Sequence, residues 1–223
     1  MKSSYRHFAL LGLLASASMA SAVTTGFVTP TWRGTANSEF GLWETFSTPV
    51  GAPGNLANSG TTGAVLTQSD AMAMGTSSGN IYGFFGLATF SLADSVSFEL
   101  GTVLLQTRTA GVELNLSQTL LNYTDGSGTH AIAPVASGLL DQSAQAGGTG
   151  YARFWQWDLT GLAITDYSVT FQAAGQHLSF DAMTLDVAKQ FTPVPEPSAA
   201  ALGALGGLLL LGATQSSRRQ AHA

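Results

Sequence analysis

The sequence predicts an all-β fold: a two-sheet antiparallel β-sandwich of jelly-roll type, flanked by an N-terminal signal helix and a single C-terminal transmembrane helix. Three observations carry this. Between residues 23 and 190, apolar side chains alternate with polar ones at period two, and no long run follows the helical period. Charged residues make up only 9% of the 223, against about 25% in an ordinary globular chain. Glycine occurs 26 times, often at the ends of the alternating runs, where turns are expected.

The elements follow in order. Residues 1–22 read as a secretory signal: Lys2 and Arg6 form a charged start, Phe8 to Ala17 an apolar core, and Ala20-Ser21-Ala22 a small-residue cleavage site. Residues 23–190 are the sandwich. Its segments include SVSFELGTVLLQT, with Val96, Phe98 and Leu100 on one face, and GVELNLSQTLLNYT, with Val112, Leu114 and Leu116 on one face. YARFWQWDL places Tyr151, Trp155, Trp157 and Leu159 together, and TDYSVTFQAAG does the same with Tyr167, Val169 and Phe171. In HLSFDAMTLDV, Leu178 and Phe180 share one parity while Met183, Leu185 and Val187 share the other. A strand that changes its buried parity needs an extra residue, so a β-bulge is expected near Asp181-Ala182. Residues 51–63 and 141–150 read as long loops, positions where a rigid scaffold often carries binding function.

Composition and motifs bound the chemistry. The chain has no cysteine, hence no disulfide, thiol nucleophile or thiolate metal site. Within residues 23–190, four basic side chains against twelve acidic ones leave a net charge of −8, which argues against nucleic acid as a partner. His130 and His177 are the histidines of this region, and neither has metal-ligand spacing. Nucleophile-elbow, phosphate-loop and zinc-protease motifs are absent, and no sequence feature selects a carboxylate pair, so a non-enzymatic body is expected. Trp155 and Trp157 face the same way: exposed they would form a sugar-stacking platform, buried they are core.

The C-terminal segments carry the strongest pattern. Residues 191–198 contain Val194-Pro195-Glu196-Pro197-Ser198, and each residue before a proline is pushed out of the helical region, so an extended, accessible peptide is expected from Thr192. Ser198 is a good helix N-cap. Residues 199–213 are uncharged and as a helix would span ~22 Å, short of a hydrocarbon core of about 30 Å. Residues 214–223 include Arg218 and Arg219, which orient the helix with its C-terminus in the cytoplasm. This order of Pro-Glu-Pro motif, short apolar helix and terminal arginines resembles the PEP-CTERM sorting signal of Gram-negative bacteria. The resemblance covers about the last thirty residues. It implies recognition and processing by an exosortase-like membrane enzyme, delivery by the secretion machinery, and association with exopolysaccharide or biofilm matrix. The chain is then anchored in the membrane at least transiently before reaching the cell surface or the medium.

The opening NSEFGLWETF and the closing HLSFDAMTLDV are similar to the first and last strands of galactose-binding-like carbohydrate-binding modules. That resemblance implies a structural calcium held by Glu39 or Glu44 together with Asp181. Two functional expectations therefore stand side by side: an exported, sorted surface or matrix protein, and a calcium-dependent carbohydrate-binding module.

Overall fold

The computed structural model describes residues 26–145 and 148–194. The expected signal helix, the motif from Pro195 onward, the helix at 199–213 and the basic tail lie outside the described residues. Among the described residues no helix is long and apolar enough to cross a membrane.

These residues form strands β1 (Ser38–Trp43), β2 (Asn55–Leu56), β3 (Ser59–Gly60), β4 (Val65–Gln68), β5 (Ala73–Gly75), β6 (Ile81–Gly83), β7 (Thr89–Ser95), β8 (Thr102–Ala110), β9 (Leu120–Asp125), β10 (Gly128–Ile132), β11 (Ala136–Gln145), β12 (Gly148–Asp158), β13 (Asp166–Gln172) and β14 (Leu178–Ala188). The strands build two antiparallel sheets. The larger runs β11-β12-β8-β14-β1-β3, with β6 and β5 continuing beside the first residues of β14. The smaller runs β10-β9-β13-β7-β4-β2.

The core lies between the sheets, and its composition follows from the alternation. On β13 Tyr167, Val169 and Phe171 point inward, and Phe171 stacks on Phe90 of β7 at 5.1 Å between ring centroids. Phe180 of β14 packs against the same pair from the opposite sheet. Burying each such side chain is worth about 1.5–3 kcal/mol. The expected bulge is present. The β14–β8 register shifts between Phe180 and Ala182, so Phe180 and Met183 both face the core although they are three positions apart.

Three expectations need correction. Val96, Phe98 and Leu100 are buried, but they belong to the crossover between β7 and β8, held by Val96 N–H to Thr165 O and Leu100 N–H to Ile164 O. Leu116 is exposed rather than aligned with Leu114, because the Asn115 side chain accepts the Ser117 N–H and turns Leu116–Gln118 into a 3-10 turn. The expected loop at 141–150 is instead the end of the β11–β12 hairpin, paired out to Gln145 opposite Gly148. The other expected loop, at 51–63, carries β2 and β3 and is tied down. Asn55 bonds both the N–H and the C=O of Thr48, and the Asn58 side chain accepts from the N–H groups of Glu44 and Thr45.

Candidate functional site

Strands β8 and β12 are apolar on both faces. Leu105, Trp155 and Trp157 enter the main core, while Leu104 and Phe154 point to the opposite side of the large sheet. That outer face needs a cover. The two ends of the body supply it. Phe27 packs on Ala152 and Ala182, and Trp32 and Val194 close over Leu104, Phe154 and Ala188.

Two buried glutamines hold these end segments. Gln106 of β8 accepts the Val28 N–H and donates to the Val28 carbonyl, both at 2.8 Å, and also donates to Thr184 Oγ1. Gln156 of β12 accepts the Val194 N–H at 3.0 Å and donates to the Thr192 carbonyl at 2.8 Å and to Thr102 Oγ1 at 3.1 Å. Each side-chain amide does for a passing segment what a neighbouring strand would do for an edge. Arg33 adds a bidentate ion pair to Asp186 at 2.5 and 2.7 Å, and its guanidinium lies 4.9 Å from the centre of the Phe40 ring. Asp186 is fully buried, and burial raises its pKa against the opposing pull of Arg33. The N-terminal and C-terminal segments are also joined directly, by Lys189 N–H to Asn37 O. Between them remains a hollow of about 370 Å³ bordered by Trp32, Asn37, Lys189 and Thr192.

Val194, the first residue of the Pro-Glu-Pro motif, is therefore docked, not free. It is 7% exposed, and its backbone N–H is taken by Gln156. Thr192 and Pro193 are exposed, in line with the accessible peptide expected from Thr192, but Val194 interrupts it by returning to the body. Pro195, Glu196, Pro197, Ser198, Arg218 and Arg219 lie outside the described residues.

The other expected site residues disperse. Trp155 and Trp157 have no exposed surface, and Trp157 Nε1 donates to the Ile132 carbonyl, so these rings are core and not a sugar platform. Glu39 pairs with Val187 on the core side of the large sheet, and burial followed by the charge of Asp94 raises its pKa. Asp181, in the bulge, accepts from Ser179 Oγ and Asn80 Nδ2 on the outer side, both at 2.7 Å. It lies six positions along β14 from Val187, about 20 Å at the usual strand rise. The sheet thus keeps Glu39 and Asp181 apart. Glu44 is exposed and follows Trp43, which pairs with Met183, so of the two early acids it is Glu44 that lies toward the Asp181 end of β14. Among the described residues, no three His, Cys, Asp or Glu side chains converge as a metal site.

A polar cleft opens where β9 and β13 part. The two strands pair only from Asn122 opposite Ser168 to Leu120 opposite Thr170. Beyond that point they splay around a cleft of about 310 Å³, lined by Asp94, Asn122, Tyr123, Thr124 and Asp166 among others. This is the lower end of the size range for small-molecule sites. Asp94 lies at its inner wall and accepts from Tyr167 Oη, Thr62 Oγ1 and the Ser95 N–H. Burial raises the Asp94 pKa, and these hydrogen bonds pull it back. Asp166 is exposed at the mouth, with its pKa lowered by the hydroxyls of Ser95 and Thr165. A second hollow of about 190 Å³ shares Thr124 and Asp166 with the first. Such a wall of carboxylates, an amide and hydroxyls can accept hydrogen bonds from a polyol.

Sequence reading missed Gln106, Gln156 and the Arg33–Asp186 pair. The available signal was the presence of apolar residues on both faces of β8 and β12. No protein-family profile matches the chain, and no curated protein matches it.

Proposed function

We propose that this is an exported, non-enzymatic surface or extracellular-matrix protein, held at the membrane by its C-terminal helix and sorted through Pro195-Glu196-Pro197. In this reading an exosortase-like enzyme processes the chain, and the body is delivered to exopolysaccharide-rich surroundings. The observation that carries it is the order of parts: motif, short apolar run and Arg218-Arg219 follow directly on a body that packs as far as Val194. The body suits such a role. Strands β1, β7, β8, β9, β10, β12, β13 and β14 follow a jelly-roll order, β12-β8-β14-β1 in one sheet and β10-β9-β13-β7 in the other. Glu196→Ala tests the reading: export should persist while an uncleaved, membrane-bound form accumulates on a blot. An unchanged mature mass would refute it.

A second reading, a carbohydrate-binding module, is favoured by the β9/β13 cleft. It shifts the sugar contacts from Trp155 and Trp157 to Asn122, Thr124 and Asp166. A glycan array run with and without a chelator tests both the sugar and the calcium. Binding abolished by Asp166→Asn supports the cleft, and absence of binding to any glycan removes the reading.

A further inference from the structure

We infer that the docked C-terminal segment sets the body-side limit of processing: the chain is cut only C-terminal to Val194, with Gln156 as the positioning residue that fixes this limit. The inference rests on the sorting reading and narrows it to a position.

Cleavage of a chain requires an extended segment that an enzyme can take up, so segments packed on a fold are cut only when they open locally. From Lys189 to Pro193 the chain is largely exposed, but it is tied to the body at intervals and re-enters it at Val194. Ala188 is the last residue of β14, and its carbonyl accepts from Gly101 N–H. Lys189 N–H bonds Asn37 O. The Thr192 carbonyl and the Val194 N–H are both taken by Gln156. Those are the backbone groups a processing enzyme would use if it bound the segment by strand addition. The Val194 side chain is a plug on the outer sheet face, clustered with Trp32, Leu104, Phe154 and Ala188.

The Gln156 amide is itself fixed. It is 1% exposed, and Thr102 Oγ1 takes its second N–H, which leaves it little freedom to release the segment. Trp32, in the N-terminal segment, is tied down through the neighbouring Arg33–Asp186 pair. The start of the body thus helps hold its end.

Intact-mass and C-terminal peptide mass spectrometry on the full chain recovered from the cells that make it provides the test. The wild-type mature chain should end at Val194 or later. Gln156→Leu removes the clamp while keeping an apolar side chain of similar size. It should yield termini upstream of Val194, and in the detergent-solubilised, unprocessed chain the Val194 amide should exchange hydrogen at least tenfold faster than in wild type. Where Gln156→Leu fails to accumulate, Val194→Gly removes the plug without touching β12 and should give the same upstream termini. A wild-type terminus before Val194 overturns the limit and leaves the sorting reading standing. Complete absence of cleavage overturns both. Identical termini and identical Val194 exchange in wild type and Gln156→Leu overturn the role of Gln156.

Discussion

Replacing Arg33 with methionine should destabilise the body in a pH-dependent way. Arg33 neutralises Asp186 through two hydrogen bonds, and Asp186 has no solvent-exposed surface. Methionine keeps a stem to pack near Phe40 but leaves a buried carboxylate without its partner. Removing one member of such a pair costs about 3–5 kcal/mol. For a domain of this size each kcal/mol lowers Tm by about 2–4 °C, so a fall of roughly 6–20 °C at pH 7 is expected. The sign with pH follows from the raised pKa. A buried acid with a folded pKa above its unfolded value is least costly when protonated. Its contribution is most favourable below the unfolded pKa, declines as pH rises through the folded pKa, and is flat above it. Loss of Arg33 enlarges the shift, so the deficit of the variant should be large at pH 7 and shrink toward pH 4. Circular-dichroism melts of the detergent-solubilised chain at the two pH values read this directly. Arg33→Met combined with Asp186→Leu should recover most of the loss. A fall below about 3 °C at pH 7, or an equal deficit at both pH values, would show that the pair does not clamp the N-terminal segment.

Asp94→Asn should melt no lower than wild type at pH 7 and should flatten the wild-type rise in stability toward acid, because burial raises the Asp94 pKa; melts between pH 4 and 7 decide this. Gly60→Ala should cost at least about 2 kcal/mol in urea denaturation, since Gly60 has φ 123° and a Cβ there would run into the Phe40 carbonyl oxygen. Trp157→Ala should cost about 3–5 kcal/mol, because the ring is fully buried and its N–H serves Ile132, whereas a surface sugar platform would leave the melt unchanged.

Much of the sandwich was legible because its period is local. The parity of Tyr167, Val169 and Phe171 and the slip between Phe180 and Met183 are written within single strands, and both appear in the fold. Leu116 was misread because an Asn115 cap outcompetes an apolar alternation that extends only from Val112 to Leu114. The segment containing Val96 kept its burial but not its strand, since a crossover at the end of a sandwich buries side chains without a ladder. The outer-face clamps were out of reach for another reason. Gln106 meets Val28 across 78 positions, and Gln156 meets Val194 across 38, so no local pattern names the partner. Of the two acidic partners that resemblance offered for Asp181, register sets Glu39 far along β14, whereas Glu44 follows Trp43, which pairs with Met183 close to Asp181; a choice between them depends on cross-strand register and not on any local pattern.

The position of β14 has a consequence for timing. It is the last strand in the chain, yet it lies inside the large sheet, between β8 on one side and β1 and β6 on the other. A chain that crosses a membrane from its N-terminus delivers that strand last. Until residues 178–188 emerge, β1 and β8 have no strand between them, and the core lacks Leu178, Phe180, Met183, Leu185 and Val187. Only ten residues separate Ala188 from the apolar run that begins at Ala199. In the proposed reading, closure of the sandwich and arrival of that run at the translocation channel would be almost one event. Under the same proposal, a body that closes at that moment would pull on the chain still in the channel and draw the Pro-Glu-Pro segment toward the membrane surface.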